Sequence, residues 1–275
     1  MILVDAYWMM HKYRNLLDYL TNSDGEPTGM EYGVLRTCEA LDRDLKGDVV
    51  LCWESSSFRY DVFEGYKANR GLKTPLDSNR VKKFKAFCKQ VYHNAEYQGL
   101  EADDVIACIT AERSKAGKKT IIFSNDKDML QLIDEHTVLL KAFREKKYPW
   151  NVETVEKQMN GLSPSDMVTF QGWVGDRVDN IPGSGLPQPK IASAILWQKE
   201  TGRAFKQWPG WTTRELKKMM VFKPRFDLVT LVRDKHIEIQ EPLWQKEQIE
   251  AWLVHMNICS LKICAKVGMF MDEEF

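Results

Sequence analysis

The chain has 275 residues, an apolar fraction of 44%, and 39 basic against 39 acidic residues, for a formal charge of zero. Length and apolar content suit one or two globular domains. The charge balance excludes any affinity for a polyanion that rests on total charge, so such affinity has to come from local segregation of charge.

The six cysteines, Cys38, Cys52, Cys88, Cys108, Cys259 and Cys264, are scattered without CxxC spacing, mostly inside apolar runs. A free thiol packs there as a small hydrophobe, and a reduced, intracellular protein is expected. No signal-peptide pattern precedes Asp5, and no run approaches the ~20 apolar residues of a membrane span. A cytoplasmic chain that starts directly on a strand is the expectation.

In chain order, short apolar runs at 2–4, 49–53, 120–123 and 138–140 have the character of buried parallel strands. Helical spacing of apolar residues falls between them, at 32–45 and 101–113. Strand alternating with helix predicts an α/β fold with a parallel sheet covered on both faces. Beyond Pro149 the strand signals fade and helices are expected at 152–159, 164–170, 190–199, 214–220 and 245–256, with Ser163 as an N-cap before Pro164. The predicted organisation is an α/β core over 1–150 and a helical region over 151–275.

In an open parallel sheet, function gathers at the carboxyl ends of the strands. Asp5 follows the first strand, Glu54 the second, and Asp126 and Asp128 follow the 120–123 strand. Glu101, Asp103 and Asp104 fall in the first turn of a helix, where Glu101 and Asp104, three apart, share a face. Capping and the helix dipole explain any one of these acids alone. They do not predict a carboxylate at every strand end. Crowded carboxylates repel one another unless a cation neutralises them, and hard oxygen ligands suit Mg²⁺ or Mn²⁺. Two such ions about 4 Å apart would serve in-line phosphoryl displacement, as in phosphodiester hydrolysis. A primase- or topoisomerase-type Glu plus Asp-x-Asp site uses the same residue types, and residue chemistry alone leaves both open.

Between Tyr66 and Lys89 stand Lys67, Arg70, Lys73, Arg80, Lys82, Lys83, Lys85 and Lys89, opposed by Asp77 alone. This is local segregation of charge, with Tyr66, Phe84 and Phe87 able to stack on bases or to pack internally. It leaves and re-enters the acidic edge, which suits a polyanionic substrate.

The motifs Val4-Asp5, Phe58-Arg59, Tyr66-Lys-Ala-Asn-Arg70, Gly99-Leu-Glu-Ala-Asp-Asp104, Ser124-Asn-Asp-Lys-Asp128 and Gly175-Asp-Arg-Val-Asp-Asn-Ile-Pro-Gly183 together resemble the 5′-nuclease superfamily. That superfamily comprises flap endonucleases, phage 5′–3′ exonucleases and the N-terminal nuclease domain of bacterial DNA polymerase I. The resemblance implies a PIN-like parallel sheet flanked by helices, with a helical arch at about 71–95 and a helix–hairpin–helix-like element at about 175–200. It implies two Mg²⁺ ions, with Mn²⁺ as substitute, held by Asp5, Glu54, Glu101, Asp103, Asp104, Asp126, Asp128, Asp176 and Asp179. Glu54 stands where most relatives have Asp. Catalytic roles are implied for Asp5, Asp104, Asp126, Lys67 and Arg70, the last two at the scissile phosphate. DNA contacts are implied for Arg59, Tyr66, Lys73, Arg80, Lys82, Lys83 and Lys190. Relatives hold K⁺ in a Gly-x-Gly hairpin loop, whereas here the stretch is Ser184-Gly-Leu-Pro-Gln-Pro189, whose prolines lack N–H donors, which argues against K⁺.

The expected activity is 5′–3′ exonuclease and 5′-flap endonuclease on DNA, or on an RNA primer, in replication or repair. A monomer in the cytoplasm of a bacterium or a phage-infected host is expected, with no membrane association. The alternatives are a branched-DNA-binding protein without catalysis and a PIN-type ribonuclease. The acidic end Met271-Asp-Glu-Glu-Phe275 reads as a frayed terminus, with docking to a replication protein as its alternative.

Overall fold

A computed structural model describes residues 1–72, 78–141 and 149–243. In chain order it runs β1 (Ile2–Asp5), α1 (Ala6–Leu17), α2 (Gly29–Leu45), β2 (Val49–Trp53), α3 (Arg59–Val62), α4 (Ser78–Val91), β3 (His93–Glu96), α5 (Ala102–Lys115), β4 (Thr120–Phe123) and β5 (Thr137–Leu140). There follow β6 (Pro149–Trp150), α6 (Val152–Gln158), α7 (Met167–Val174), α8 (Gln188–Thr201), α9 (Thr213–Val221) and α10 (Phe226–Val229). The six strands form one sheet in the order β3-β2-β1-β4-β5-β6. All neighbours are parallel except β6, which pairs antiparallel with β5.

Strand residues alternate between two apolar layers, as the period of two requires. Ile2, Val4, Val49, Leu51 and Trp53 pack with α1, α2 and α4 on one face. Leu3, Val50, Cys52, Ile122 and Leu139 pack on the other with α5 and with Trp173, Ile191 and Met219 of the helical region. The helices after residue 150 therefore share one continuous core with the sheet. On the first face, α1 and α2 lie so close that a side chain at Gly33 would strike the Tyr13 ring.

Hydropathy does not predict β3, His93-Asn-Ala-Glu96, because its buried polar residue is satisfied by specific bonds. Asn94 accepts the Trp53 indole N–H at 2.8 Å and exchanges backbone bonds with Gln240. Pro149 starts β6 at the sheet edge, where a missing N–H is tolerated.

The stretch expected as an arch divides. Residues 73–77, including Lys73, lie outside the described residues. From Ser78 onward it is α4, whose Val81, Phe84, Phe87, Cys88 and Val91 are buried in the first layer, and then β3. Phe84 and Phe87 thus take the packing role. The helix expected over 245–256, the terminus Met271–Phe275 and Cys259 and Cys264 also lie outside the described residues. Cys38, Cys52, Cys88 and Cys108 are buried free thiols. Among the described residues, no helix is long and apolar enough to cross a membrane.

Candidate active site

Strand β1 lies between β2 and β4, and the chain order reverses there, so ligands are expected at the carboxyl ends of these three strands. Asp5 ends β1, Glu54 follows β2, and Asp126 lies just beyond β4. Glu101 is the N-cap residue of α5, and Asp103 sits in its first turn. The nine expected carboxylates separate into a group of five, a group of three, and Asp104 by itself.

The first group lacks cationic partners among the described residues. Asp5 caps α1 by accepting the Trp8 N–H at 2.9 Å through Oδ1. Asp126 accepts the Asp128 N–H at 2.8 Å through Oδ1. Capping is therefore real, but each bond uses one carboxylate oxygen. Asp128 accepts from the Gln171 amide at 2.7 Å, also through Oδ1. Asp103 has no hydrogen-bond or ion-pair partner among the described residues. Burial, reinforced by the charges of Asp126 and Glu54, pushes the Asp5 carboxyl up to about 7. Burial and mutual repulsion hold Asp103 and Asp128 well above the usual carboxylate range, and Asp126 is raised mainly by burial. Glu54 is raised too, by burial first, against the pull of Lys67.

The second group is neutralised from within. Glu101 forms an ion pair with Lys67 and accepts from the Tyr66 hydroxyl at 2.8 Å and from Arg59 at 3.1 Å. Burial would raise the Glu101 carboxyl, but the Lys67 charge and these bonds bring it below its ordinary value. Asp179 pairs with Arg70, accepts from the Tyr66 hydroxyl at 3.3 Å, and stands 3.9 Å from Lys67 Nζ. Asp176 lies 3.1 Å from Lys127 Nζ and caps its own loop through the Val178 N–H at 2.8 Å.

Asp104 is different again. Arg59 donates to both of its oxygens, at 2.6 and 2.9 Å, and the Val232 N–H adds a third bond at 3.0 Å. Asp104 has 0% exposure, and both of its oxygens are engaged in these bonds. Three residues expected at DNA are engaged within the chain. Arg59, 2% exposed, faces Asp104, Glu101 and the Leu228 and Thr230 carbonyls. Tyr66, 4% exposed, spends its hydroxyl on Glu101 and packs edge-on against Tyr60. Arg80 is bound to Glu31 and Asp18.

Two segments far apart in sequence are joined here. The Lys67 N–H donates to the Asp179 carbonyl, Asn69 to the Arg177 carbonyl and Asn180 to the Gly65 carbonyl. The junction requires left-handed backbone at Lys67 and Asn180, with φ of 55° and 58°. An Asn tolerates that conformation readily, whereas a Lys there is held by its surroundings. The ammonium of Lys67 consequently sits where its charge acts on Asp5, Glu54 and Asp103.

Other basic residues vary in availability. Lys85 and Lys89 both pair with Glu96. Lys190 pairs with Glu215 at 2.8 Å and donates to the Gly210 carbonyl. Lys82 and Lys83 are exposed on α4. In the 184–189 loop, Lys218 Nζ donates to the Gly185 carbonyl at 2.9 Å, so an internal cation already serves that oxygen. Sequence reasoning passed over Lys127 and Gln171. Lys127 was visible as the charge between two aspartates, whereas nothing local marks Gln171, which reaches Asp128 from α7.

The donor set is oxygen alone, partly unpaired and strained by its own charge, and this chemistry fits a hard divalent cation. Asp5, Glu54, Asp103, Asp126 and Asp128 are the residues that would hold it. Among the described residues no three of these groups already close into a ligand cage, so the fit lies in their chemistry.

Comparison with known proteins gives the family and the fold. A family model described as 5′–3′ exonuclease, N-terminal resolvase-like domain, matches residues 1–160. A 5′–3′ exonuclease of Buchnera aphidicola subsp. Acyrthosiphon pisum is 28% identical over 71% of this chain and 68% of its own. DNA polymerase I of Pseudomonas aeruginosa is 31% identical over 71% of this chain, which spans only 22% of the polymerase. Among solved structures, the bacteriophage T5 flap endonuclease, crystallised with DNA and metal ions, aligns with a TM-score of 0.62 at 16% identity, covering 83% of this chain and 85% of its own. The Rad2 catalytic core in complex with DNA substrate aligns at 0.56 and 16%, covering 93% and 86%. At such identity these structures speak to the fold.

Proposed function

The chain belongs to the 5′–3′ exonuclease family, and from that premise we propose that it is a divalent-metal-dependent nuclease acting at 5′ ends and 5′ flaps of DNA. Family membership makes it a hydrolase of nucleic acids; the metal, the flap preference and the residue roles are the proposal. The observation that carries it is the set of five carboxylates at adjacent strand ends and the α5 turn, Asp5, Glu54, Asp103, Asp126 and Asp128, whose proton affinity is raised by burial and mutual charge. Such a set gains most from a cation.

A divalent cation held by Asp5, Glu54, Asp103, Asp126 and Asp128 would supply an activated water and charge neutralisation at the scissile phosphate. The chain's own residues orient the phosphate. Lys67, clamped by Glu101 and the junction with Asp179, presents fixed positive charge beside the cluster, and Arg70, partly exposed, stands next to it. To reach a phosphate oxygen each relaxes its contact with a carboxylate, one anion replacing another. Preorganised charge of this kind is most effective where negative charge develops. Cleavage leaves a 5′-phosphate and a 3′-hydroxyl.

The DNA seen with the bacteriophage T5 enzyme and with Rad2 supports the substrate class. The metal ions crystallised with the T5 protein support the cofactor class. Cleavage of a 5′-flap duplex with Mg²⁺, and its loss with chelator, tests the reading.

A further inference from the structure

We propose that Lys141 is a substrate-positioning residue: seated on the Trp150 ring at the end of β5, its ammonium receives a backbone phosphate of the DNA strand that enters the carboxylate cluster. The inference rests on the nuclease reading above.

Lys141 immediately follows β5, whose Leu140 pairs with Phe123 of β4, so it stands level with Ser124 and two residues short of Asp126 in register. It continues the row of strand ends from Glu54 and Asp5 through Asp126, and turns that row from acidic to basic. Alternation along β5 puts Lys141 on the same face as Leu139, the face covered by α5 and Trp150. Its Nζ lies 4.1 Å from the centroid of the Trp150 ring. The ammonium is half-buried, and burial lowers its pKa against the opposing pull of the Asp126 charge.

The partner distinguishes Lys141 from its neighbours. Arg59, Lys67, Arg70 and Lys127 each hold a carboxylate. Lys141 has no ion pair among the described residues, only the ring. An aromatic face fixes a lysine in place by attraction to its quadrupole without cancelling its charge. A cation held firm, partly desolvated and not neutralised is suited to a phosphate. It also answers a difficulty of the site, since five carboxylates without an ion pair among the described residues repel a polyanion until something draws it in.

The test compares wild type with Lys141→Met, which keeps the stem, and Lys141→Arg, which keeps the charge. Binding of a 5′-flap duplex is measured in Ca²⁺ over a range of NaCl, alongside thermal melting and cleavage in Mg²⁺. Loss of one phosphate contact predicts weaker binding by Lys141→Met, roughly 3- to 10-fold at low salt, and a log–log salt slope shallower by about 0.7 to 0.9. Lys141→Arg restores the slope, and melting of all three is similar. A purely structural lysine would move the melting temperature and leave the slope unchanged. Unchanged slope and affinity in Lys141→Met overturn the proposal, as does loss of its melting transition. Failure of wild type to cut the flap overturns the nuclease reading instead, and the binding measurement stands apart from it.

Discussion

Arg59 and Asp104 hold each other in a two-pronged ion pair, with N–O distances of 2.6 and 2.9 Å, beneath the acidic edge of the sheet. The pair ties α3 to α5, and further bonds, to the Leu228 and Thr230 carbonyls and from the Val232 N–H, fasten α10 and the segment after it to both. Removing Arg59 leaves the Asp104 charge buried without a cation, at a cost of about 3–5 kcal/mol, and removing Asp104 leaves the buried Arg59 with Glu101 as its one carboxylate. Arg59→Met and Asp104→Leu are each expected to lower the chemical-denaturation midpoint sharply, and the double variant to recover a substantial part. Equal losses that simply add in the double variant would show that the pair is not coupled.

Lys67 is expected to behave in the opposite way. Its removal leaves Glu101 with Tyr66 and Arg59 as partners, so the fold keeps most of its bonds. Lys67→Met should lower kcat by about 100- to 1,000-fold, the scale of losing one preorganised charge, with a modest change in melting. Single-turnover cleavage of a 5′-flap duplex checks this.

Proton linkage gives a third expectation. Asp5 ionises near 3.8 when unfolded and at about 7 in the fold, and Asp103, Asp126, Asp128 and Glu54 shift in the same direction. Between those values the folded chain binds more protons than the unfolded one, so these groups make stability fall as pH rises through that window. In chelator, melting should therefore occur at a lower temperature at about pH 8 than at about pH 5.5. Mg²⁺ competes with the protons, so its stabilising effect should be greater at the higher pH. Differential scanning calorimetry at both pH values, with and without Mg²⁺, measures it.

The Lys218 ammonium on the Gly185 carbonyl predicts indifference to the monovalent cation. Flap binding should be the same in KCl and NaCl at matched ionic strength. A several-fold preference for K⁺ would mean that the loop carbonyls take the ion despite Lys218.

Much of this architecture is legible in the sequence because its strands are short apolar runs buried on both faces, as at 49–53 and 120–123. The strand at His93–Glu96 is not, since its place in the sheet depends on Asn94 meeting Trp53 and Gln240, contacts that no local pattern encodes. Helix α4 illustrates a related difficulty. Its lysines and Arg80 read as a surface for DNA, yet Arg80, Lys85 and Lys89 are bound to acids of the same chain, while its Phe84 and Phe87 turn inward. At the site, spacing identifies the carboxylates that converge on the strand ends. It cannot say which of them a buried cation has already claimed. Asp103 and Asp104 are neighbours in sequence, and one is without a partner among the described residues while the other is fully engaged, because a helix turns successive side chains to different surroundings.

The most direct measurement is cleavage of a labelled 5′-flap DNA duplex by wild type and by the double variant Asp126→Ala, Asp128→Ala, each in Mg²⁺ and in chelator. The account predicts a 5′-phosphorylated product from wild type in Mg²⁺ alone, and none from the folded double variant under either condition. Cleavage that persists in the double variant, or in chelator, would contradict a metal-dependent nuclease built on these carboxylates.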